Sequence, residues 1–204
     1  MHNKLVHIKC YKVIIFLFFL TLISLSKVNK SESNTLFSSQ NIVTNENYDF
    51  VQFDILFGRI LENTPSKILI GLKVNLLPEW KIYWRNPGDA GLPPEIKWAS
   101  ANNIKSMNLM FPNPQRFTFF GIETFGYEKE VIFPIEIELL DQNKQISGKL
   151  QLEAQVCAEI CVPVNFSYDL SKLNYNDKNN SKLSDILKYK KTVPKYIGRE
   201  DLEL

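Results

Sequence analysis

The chain has 204 residues, a formal net charge of +2 and a hydrophobic content of 45%, and 23% of its residues are charged. This length suits one ordinary domain with tails, and the apolar content excludes global disorder because it can fill a packed core. The sequence has no basic stripe interleaved with aromatics and no Rossmann or P-loop glycine pattern, which argues against nucleic-acid and nucleotide binding.

The N-terminus is typical of an export signal. Three lysines precede an apolar run over residues 13–25, and small residues follow near Ser26. The run is shorter than the ~20 residues of an ordinary membrane span. We therefore expect residues 1–26 to be a signal peptide. Its cleavage would remove Cys10 and both histidines and change the net charge from +2 to −1.

Residues 27–47 are polar and are predicted to be a disordered lead-in, whereas residues 48–172 carry strand patterns. Apolar residues occupy every second position of 68–76 and of 131–139. Further candidate strands are 49–62, 80–85, 94–98, 104–111, 149–156 and 164–170. Clusters of Pro, Gly and Asn separate them, so we predict an all-β, immunoglobulin-like antiparallel β-sandwich.

The tail, residues 173–204, differs in composition from the rest. A polar linker over 174–182 is followed by a predicted short helix over 184–195, which lies outside the sandwich. Ser184 is the expected N-cap, and the helix should end before Pro194. Its lysines indicate a solvated face.

The stretch "WKIYWRNPGDAG" at 80–91 combines a strand with a turn. Trp80, Ile82 and Trp84 share one strand face and are predicted to pack in the core. Arg85 and Asp89 could form an ion pair or contact a partner, and the pattern does not decide between these two roles.

Cys157 and Cys161 are separated by Ala-Glu-Ile and flanked by alternating strands. A hairpin over these strands would place Cys157 opposite Cys161, on the polar face. The same register predicts the pairs Ala154–Val164, Leu152–Phe166, Leu150–Tyr168 and Lys149–Asp169. A loop of three residues usually needs a residue with positive φ, and none of these three favours it, so a single helical turn stays open as an alternative.

A disulfide between these cysteines would stabilise the fold little. Closing a loop of five residues is worth roughly 2 kcal/mol, against ~4.7 kcal/mol for a loop of 100 residues. Three functions remain compatible with the pair: a thiol–disulfide exchange site, a permanent clip in a binding or assembly module, or a Cu(I) site. Glu159, between the cysteines, would raise the pKa of a thiol and so disfavour the thiolate.

Three ordered segments resemble a known family. Residues 78–98, 114–137 and 156–164 together are similar to the amino-terminal periplasmic domain of DsbD and ScsB thiol:disulfide interchange proteins. The resemblance implies an immunoglobulin-like fold, a thiol–disulfide oxidoreductase role and a redox pair at Cys157 and Cys161. Electrons would pass between thioredoxin-like periplasmic proteins, with no cofactor and no metal.

Relatives in this family shield the disulfide with an aromatic cap loop. The best match is "FFG", with Phe119 as the shielding ring and Phe120 beside it, and the alternative is that both rings are core. Phe117 and Thr118 stand where the best-known member has acidic residues, so proton transfer by the cap is not expected. Full-length relatives continue into a membrane electron conduit and a thioredoxin-like domain. The sequence ends at Leu204 without them, so we expect a separate conduit to supply electrons.

Overall fold

The computed structural model describes residues 48–60, 66–173 and 180–195, and the predicted signal peptide and lead-in lie outside these ranges. The described residues form ten strands: β1 (Val51–Ile60), β2 (Lys67–Leu76), β3 (Lys81–Gly88), β4 (Glu95–Asn102), β5 (Ile104–Leu109), β6 (Gln115–Phe119), β7 (Ile122–Glu128), β8 (Glu130–Leu139), β9 (Ser147–Cys157) and β10 (Cys161–Asp169). One 3₁₀ turn spans Leu170–Lys172, and one helix, α1, spans Asn180–Lys190.

The strands form two antiparallel sheets. The four-stranded sheet has the order β1-β2-β8-β5, and the six-stranded sheet has the order β10-β9-β3-β7-β6, with β4 also on β9. One edge of β9 is shared, because β4 pairs with its residues 147–153 and β3 pairs with residues 156–157. The architecture is the predicted immunoglobulin-like β-sandwich, with α1 outside it.

The core between the sheets follows the predicted alternation. Ile68, Ile70, Leu72 and Val74 of β2 are fully buried, and the apolar odd positions of β8 are buried as well. Ile82 is buried between the sheets as predicted, and Trp80 and Trp84 pack against the core beside it. These side chains point inward because successive residues of a strand face opposite sides of the sheet. Their burial fixes the register of the strands, since a slip of one residue would expose the whole set.

The strand that contains Trp84 extends further than predicted. β3 continues to Gly88, with an irregular register between Tyr83 and Gly88. The Arg85 guanidinium lies 4.8 Å from the Trp84 ring centroid, whereas the Asp89 carboxylate accepts a hydrogen bond of 2.8 Å from the Glu123 backbone N–H. The two side chains therefore have separate partners.

The helix begins earlier than predicted. Ser184 lies inside α1 rather than at its N-cap, because no Gly or Pro interrupts the sequence before it, and α1 begins at Asn180. The helix ends at Lys190, and Thr192 donates both its backbone N–H and its hydroxyl to the Tyr189 carbonyl. Pro194 disfavours helical backbone at the residue before it, which accounts for an end in this region.

α1 packs against the outer face of the four-stranded sheet. Ile186 is fully buried there against Leu69 of β2 and Ile132 of β8, apart from the main core. Lys190 pairs with Glu136 at 2.5 Å, and the backbone N–H of Asn113 donates to the Thr192 carbonyl at 2.9 Å. The outward face of β2 and β8 is therefore covered rather than solvated at its centre.

Asn103 is a buried polar residue between β4 and β5. Its side-chain amide donates to the carbonyls of Asp141 (2.8 Å) and Lys144 (2.7 Å) and accepts from the Asp141 N–H (2.7 Å). Its φ of 65° lies in the left-handed region, which asparagine tolerates better than alanine. Asn103 therefore ties two turns together.

Asn103→Ala should lower the free energy of unfolding by about 2 kcal/mol, because three hydrogen bonds are lost and buried groups stay unsatisfied. Urea unfolding of both proteins measures the difference. Asn108→Ala, at an exposed position of β5, is the matched control and should change stability little. Equal losses in the two variants would contradict this role of Asn103.

Candidate functional site

The cysteine pair closes the β9–β10 hairpin. Cys157 is paired with Cys161, and the register gives every predicted pair, from Ala154 opposite Val164 to Lys149 opposite Asp169. The two cysteines form a disulfide with a Cα–Cα distance of 4.1 Å. The hairpin is therefore the correct alternative, and the helical turn is wrong.

The loop over residues 158–160 turns the chain without a left-handed residue. The positive φ values in the described part of the chain all lie elsewhere. The Ala158 N–H instead donates to the Ile160 carbonyl at 3.0 Å, which stabilises the tight turn. Ile160 and Glu159 are exposed, so the loop presents one apolar and one acidic side chain beside the disulfide.

The two cysteines differ in exposure, although both occupy positions on the polar face of their strands, as the sequence predicts. Cys157 is only 4% exposed and lies on an inner strand, with β10 on one side of β9 and β3 on the other at this point. Cys161 lies on the edge strand β10 and is exposed. A molecule approaching from solvent therefore meets Cys161 before Cys157.

Lys81 of β3 is the neighbour of Cys157 on the side away from Cys161. Directly paired residues project from the same face of a sheet, so Lys81 and the disulfide share the outer face of the six-stranded sheet. Its ammonium donates to the Glu79 carbonyl at 3.0 Å and lies 5.2 Å from the Phe117 ring centroid. Lys81 is therefore paired with Cys157 on one side and contacts Phe117 of the β6–β7 hairpin on the other. The sequence pattern does not single out Lys81, because the β3–β9 pairing joins distant parts of the chain.

Phe119 and Phe120 lie at the tip of the β6–β7 hairpin, whose two strands are not among the predicted ones. Phe120 and Gly121 have φ values of 49° and 82°, and two consecutive positive φ values suit a two-residue hairpin turn. Phe119 is 67% exposed and Phe120 is 90% exposed, so neither ring belongs to the core. Phe119 has the parity of Phe117, whose ring contacts Lys81, and it therefore faces the same side of the sheet as the disulfide.

The described residues are 48–60, 66–173 and 180–195. These ranges contain no cluster of three or more His, Cys, Asp or Glu side chains that could hold a metal ion. They also contain no helix with the length and hydrophobicity needed to cross a membrane.

Comparisons with a family model and with solved structures indicate the same family. A family model described as thiol:disulfide interchange protein DsbD, N-terminal, matches residues 57–171, more than half of the chain. The crystal structure of the N-terminal periplasmic domain of ScsB from Proteus mirabilis matches with 30% identity and a TM-score of 0.58. The match covers 76% of this chain and 59% of that chain, so the chain spans less than two thirds of that relative.

The reduced N-terminal domain of Neisseria meningitidis DsbD is more distant. It has 15% identity and a TM-score of 0.36, and the match covers 57% of this chain and 82% of that domain. No curated protein gives a significant match. The family model extends over both sheets and over the disulfide of the β9–β10 hairpin. On this basis, the chain belongs to the family of DsbD N-terminal domains.

Proposed function

We propose that this protein is an exported thiol–disulfide exchange domain in which Cys157 and Cys161 alternate between disulfide and dithiol. The observation that carries the proposal is the asymmetric disulfide, with one exposed and one buried cysteine in a tight hairpin. A bond that closes so short a loop contributes little to stability, and the exposed position of Cys161 favours attack there. Family membership supports the same chemistry.

In the reducing step, a thiolate of the donor attacks the Cys161 sulfur. The Cys157–Cys161 bond breaks, a mixed disulfide forms, and Cys157 leaves as a thiolate that takes up a proton. The second thiolate of the donor then attacks the donor's own sulfur and releases Cys161. Two electrons and two protons have moved from the donor dithiol to this domain. With an acceptor the steps run in reverse, because Cys161 attacks the acceptor disulfide and Cys157 resolves the mixed disulfide.

Phe119 and Phe120 act in this proposal as the cap of the disulfide. Three observations support this role. Both rings are exposed, both lie at a hairpin tip, and Phe119 faces the same side of the sheet as the disulfide. The tip would fold over Cys161 to slow its reaction with thiols, and it would lie open, as both exposed rings do in this structure, when a partner protein docks.

The remaining assignments belong to the same proposal. Residues 1–26 direct export, residues 27–47 lead into the exchange domain at 48–172, and residues 173–204 form the linker and helix. The protein works in the periplasm with thioredoxin-like donors and acceptors, and a separate membrane conduit supplies electrons. The P. mirabilis relative, which its description calls periplasmic, supports this location.

The reduction potential of the pair tests the proposal. We expect a value between about −180 and −270 mV, in the range of exchange proteins. Equilibration of the domain in glutathione or dithiothreitol redox buffers, followed by alkylation of free thiols, measures it. A value below about −300 mV would identify an inert clip and favour a binding or assembly module.

A further inference from the structure

A groove lies beside the disulfide on the outer face of the six-stranded sheet. It has a volume of about 330 Å³, and Leu92, Pro93, Gln155, Pro163 and Asn165 are among its lining residues. We call it the β9–β10 groove. The exchange chemistry proposed above makes no use of it.

The strand register places the near end of the β9–β10 groove one row of residues from the cysteines. Gln155 is paired with Pro163, one row from the cysteines on the same face, and Glu153 is paired with Asn165 in the next row. Rows on one face are two residues apart, so the Glu153 row lies ~13 Å from the disulfide row. About four residues of extended chain would span this distance.

One wall of the groove is apolar and firmly held. Leu92 is 61% exposed, and the loop that carries it lies against the Tyr83 ring. A Cβ at Gly91, whose φ is +93°, would come within 2.2 Å of that ring, so the loop can pack this closely only with glycine. The opposite wall includes Pro163, which has no backbone N–H to offer to another strand.

The far end of the groove is acidic. Glu95 of β4 is paired directly with Glu153 of β9, an arrangement that is unfavourable for two like charges. Lys97 donates to the Glu153 carboxylate at 2.9 Å, so one positive charge faces two negative ones. The remaining negative charge complements a basic side chain of a partner.

We propose that the β9–β10 groove binds the extended segment of the redox partner that flanks its reactive cysteine, with a Lys or Arg of that segment at Glu95 and Glu153. The inference rests on the exchange function proposed above. In this proposal the charge and shape of the groove select the partner, whereas the two cysteines carry out the electron transfer.

Two synthetic peptides test the groove. Each peptide contains one cysteine. One peptide has arginine at the fourth position before and after the cysteine, and the other has glutamate at both of these positions. The rate of mixed-disulfide formation with the oxidised domain should be about tenfold higher for the arginine peptide at low salt. The preference should largely vanish at 1 M salt, where the screening length is about 3 Å. Glutathione serves as a thiol that does not reach the acidic end.

The variant Glu95→Gln/Glu153→Gln should lose the preference and keep its rate with glutathione. Glu130→Gln/Glu138→Gln is the matched control, because it removes the same charge from ion pairs on the other sheet and should keep the preference. Equal rates for both peptides, with normal glutathione exchange, would overturn the groove proposal and leave the exchange function standing.

A binding measurement separates the two proposals further. Serine versions of the peptides are titrated into the oxidised domain, and amide chemical shifts are followed by NMR. The arginine peptide should shift the signals of Leu92, Gln155 and Asn165 more than the glutamate peptide does. Absent or equal shifts would refute the groove even if no thiol reacted, whereas failure of every thiol to react would refute the exchange function.

Discussion

Cys157→Ser should turn the domain into a trap for its partners, whereas Cys161→Ser should leave a nearly unreactive thiol. In the first variant the exposed Cys161 still forms mixed disulfides, but no second cysteine can resolve them. In the second variant the remaining Cys157 is 4% exposed. Its reaction should be slower by about a hundredfold, because it requires a local opening that costs a few kcal/mol.

Alkylation with iodoacetamide under native conditions measures the two rates. The same measurement in urea is the control. Both thiols are exposed in the unfolded chain, so they should react at similar rates there. Expression of both variants in the native compartment, followed by non-reducing electrophoresis, should show adducts mainly with Cys157→Ser. Faster reaction of Cys157 than of Cys161 in the folded state would contradict the proposed order of attack.

The hairpin that holds this pair could be predicted from local sequence. Apolar residues alternate on both sides of the cysteines, and the three residues between them leave one register in which both apolar faces coincide. The cores of β2 and β8 were predictable for the same reason, because every second residue from Ile68 to Leu76 and from Val131 to Leu139 is apolar and buried. Period-two patterns carry this information without any knowledge of neighbouring strands.

The different exposure of the two cysteines could not be predicted in this way. Cys157 has β3 as well as β10 beside it, whereas Cys161 lies on an edge strand, and the paired residues of β3 and β9 are more than 70 positions apart in the chain. The β6–β7 hairpin escaped prediction for another reason. Phe117 and Phe119 alternate with polar residues in β6, but the exposed Phe120 after them obscures the period. Sequence pattern therefore located the sulfurs, and tertiary pairing determined which of them solvent can reach.

The contact of α1 with the sandwich likewise depends on residues distant in sequence. Leu69 and Ile132 have the outward parity of their strands, yet both are buried because Ile186 covers them. Gly71 allows this approach, since a Cβ there would lie 2.8 Å from side-chain carbons of both Ile132 and Ile186. The helix thus completes a second, smaller apolar cluster on the back of the sheet, away from the disulfide.

Ile186→Ala should therefore lower the free energy of unfolding by about 2–5 kcal/mol, the usual cost of truncating a fully buried isoleucine. The loss would expose part of Leu69 and Ile132, so amide hydrogen exchange along the centres of β2 and β8 should also become faster. Urea unfolding measures the first effect and exchange monitored by NMR measures the second.

Asp185→Ala is the matched control, since Asp185 is the exposed neighbour of Ile186 in the same helix and its loss should change stability little. The reduction potential of the cysteine pair should not change in Ile186→Ala, because the helix covers the sheet that does not carry the disulfide. A loss below about 1 kcal/mol would show that α1 contributes little to the fold, since surface substitutions reach nearly that size. A change in potential would instead show that the two sheets are coupled through the core.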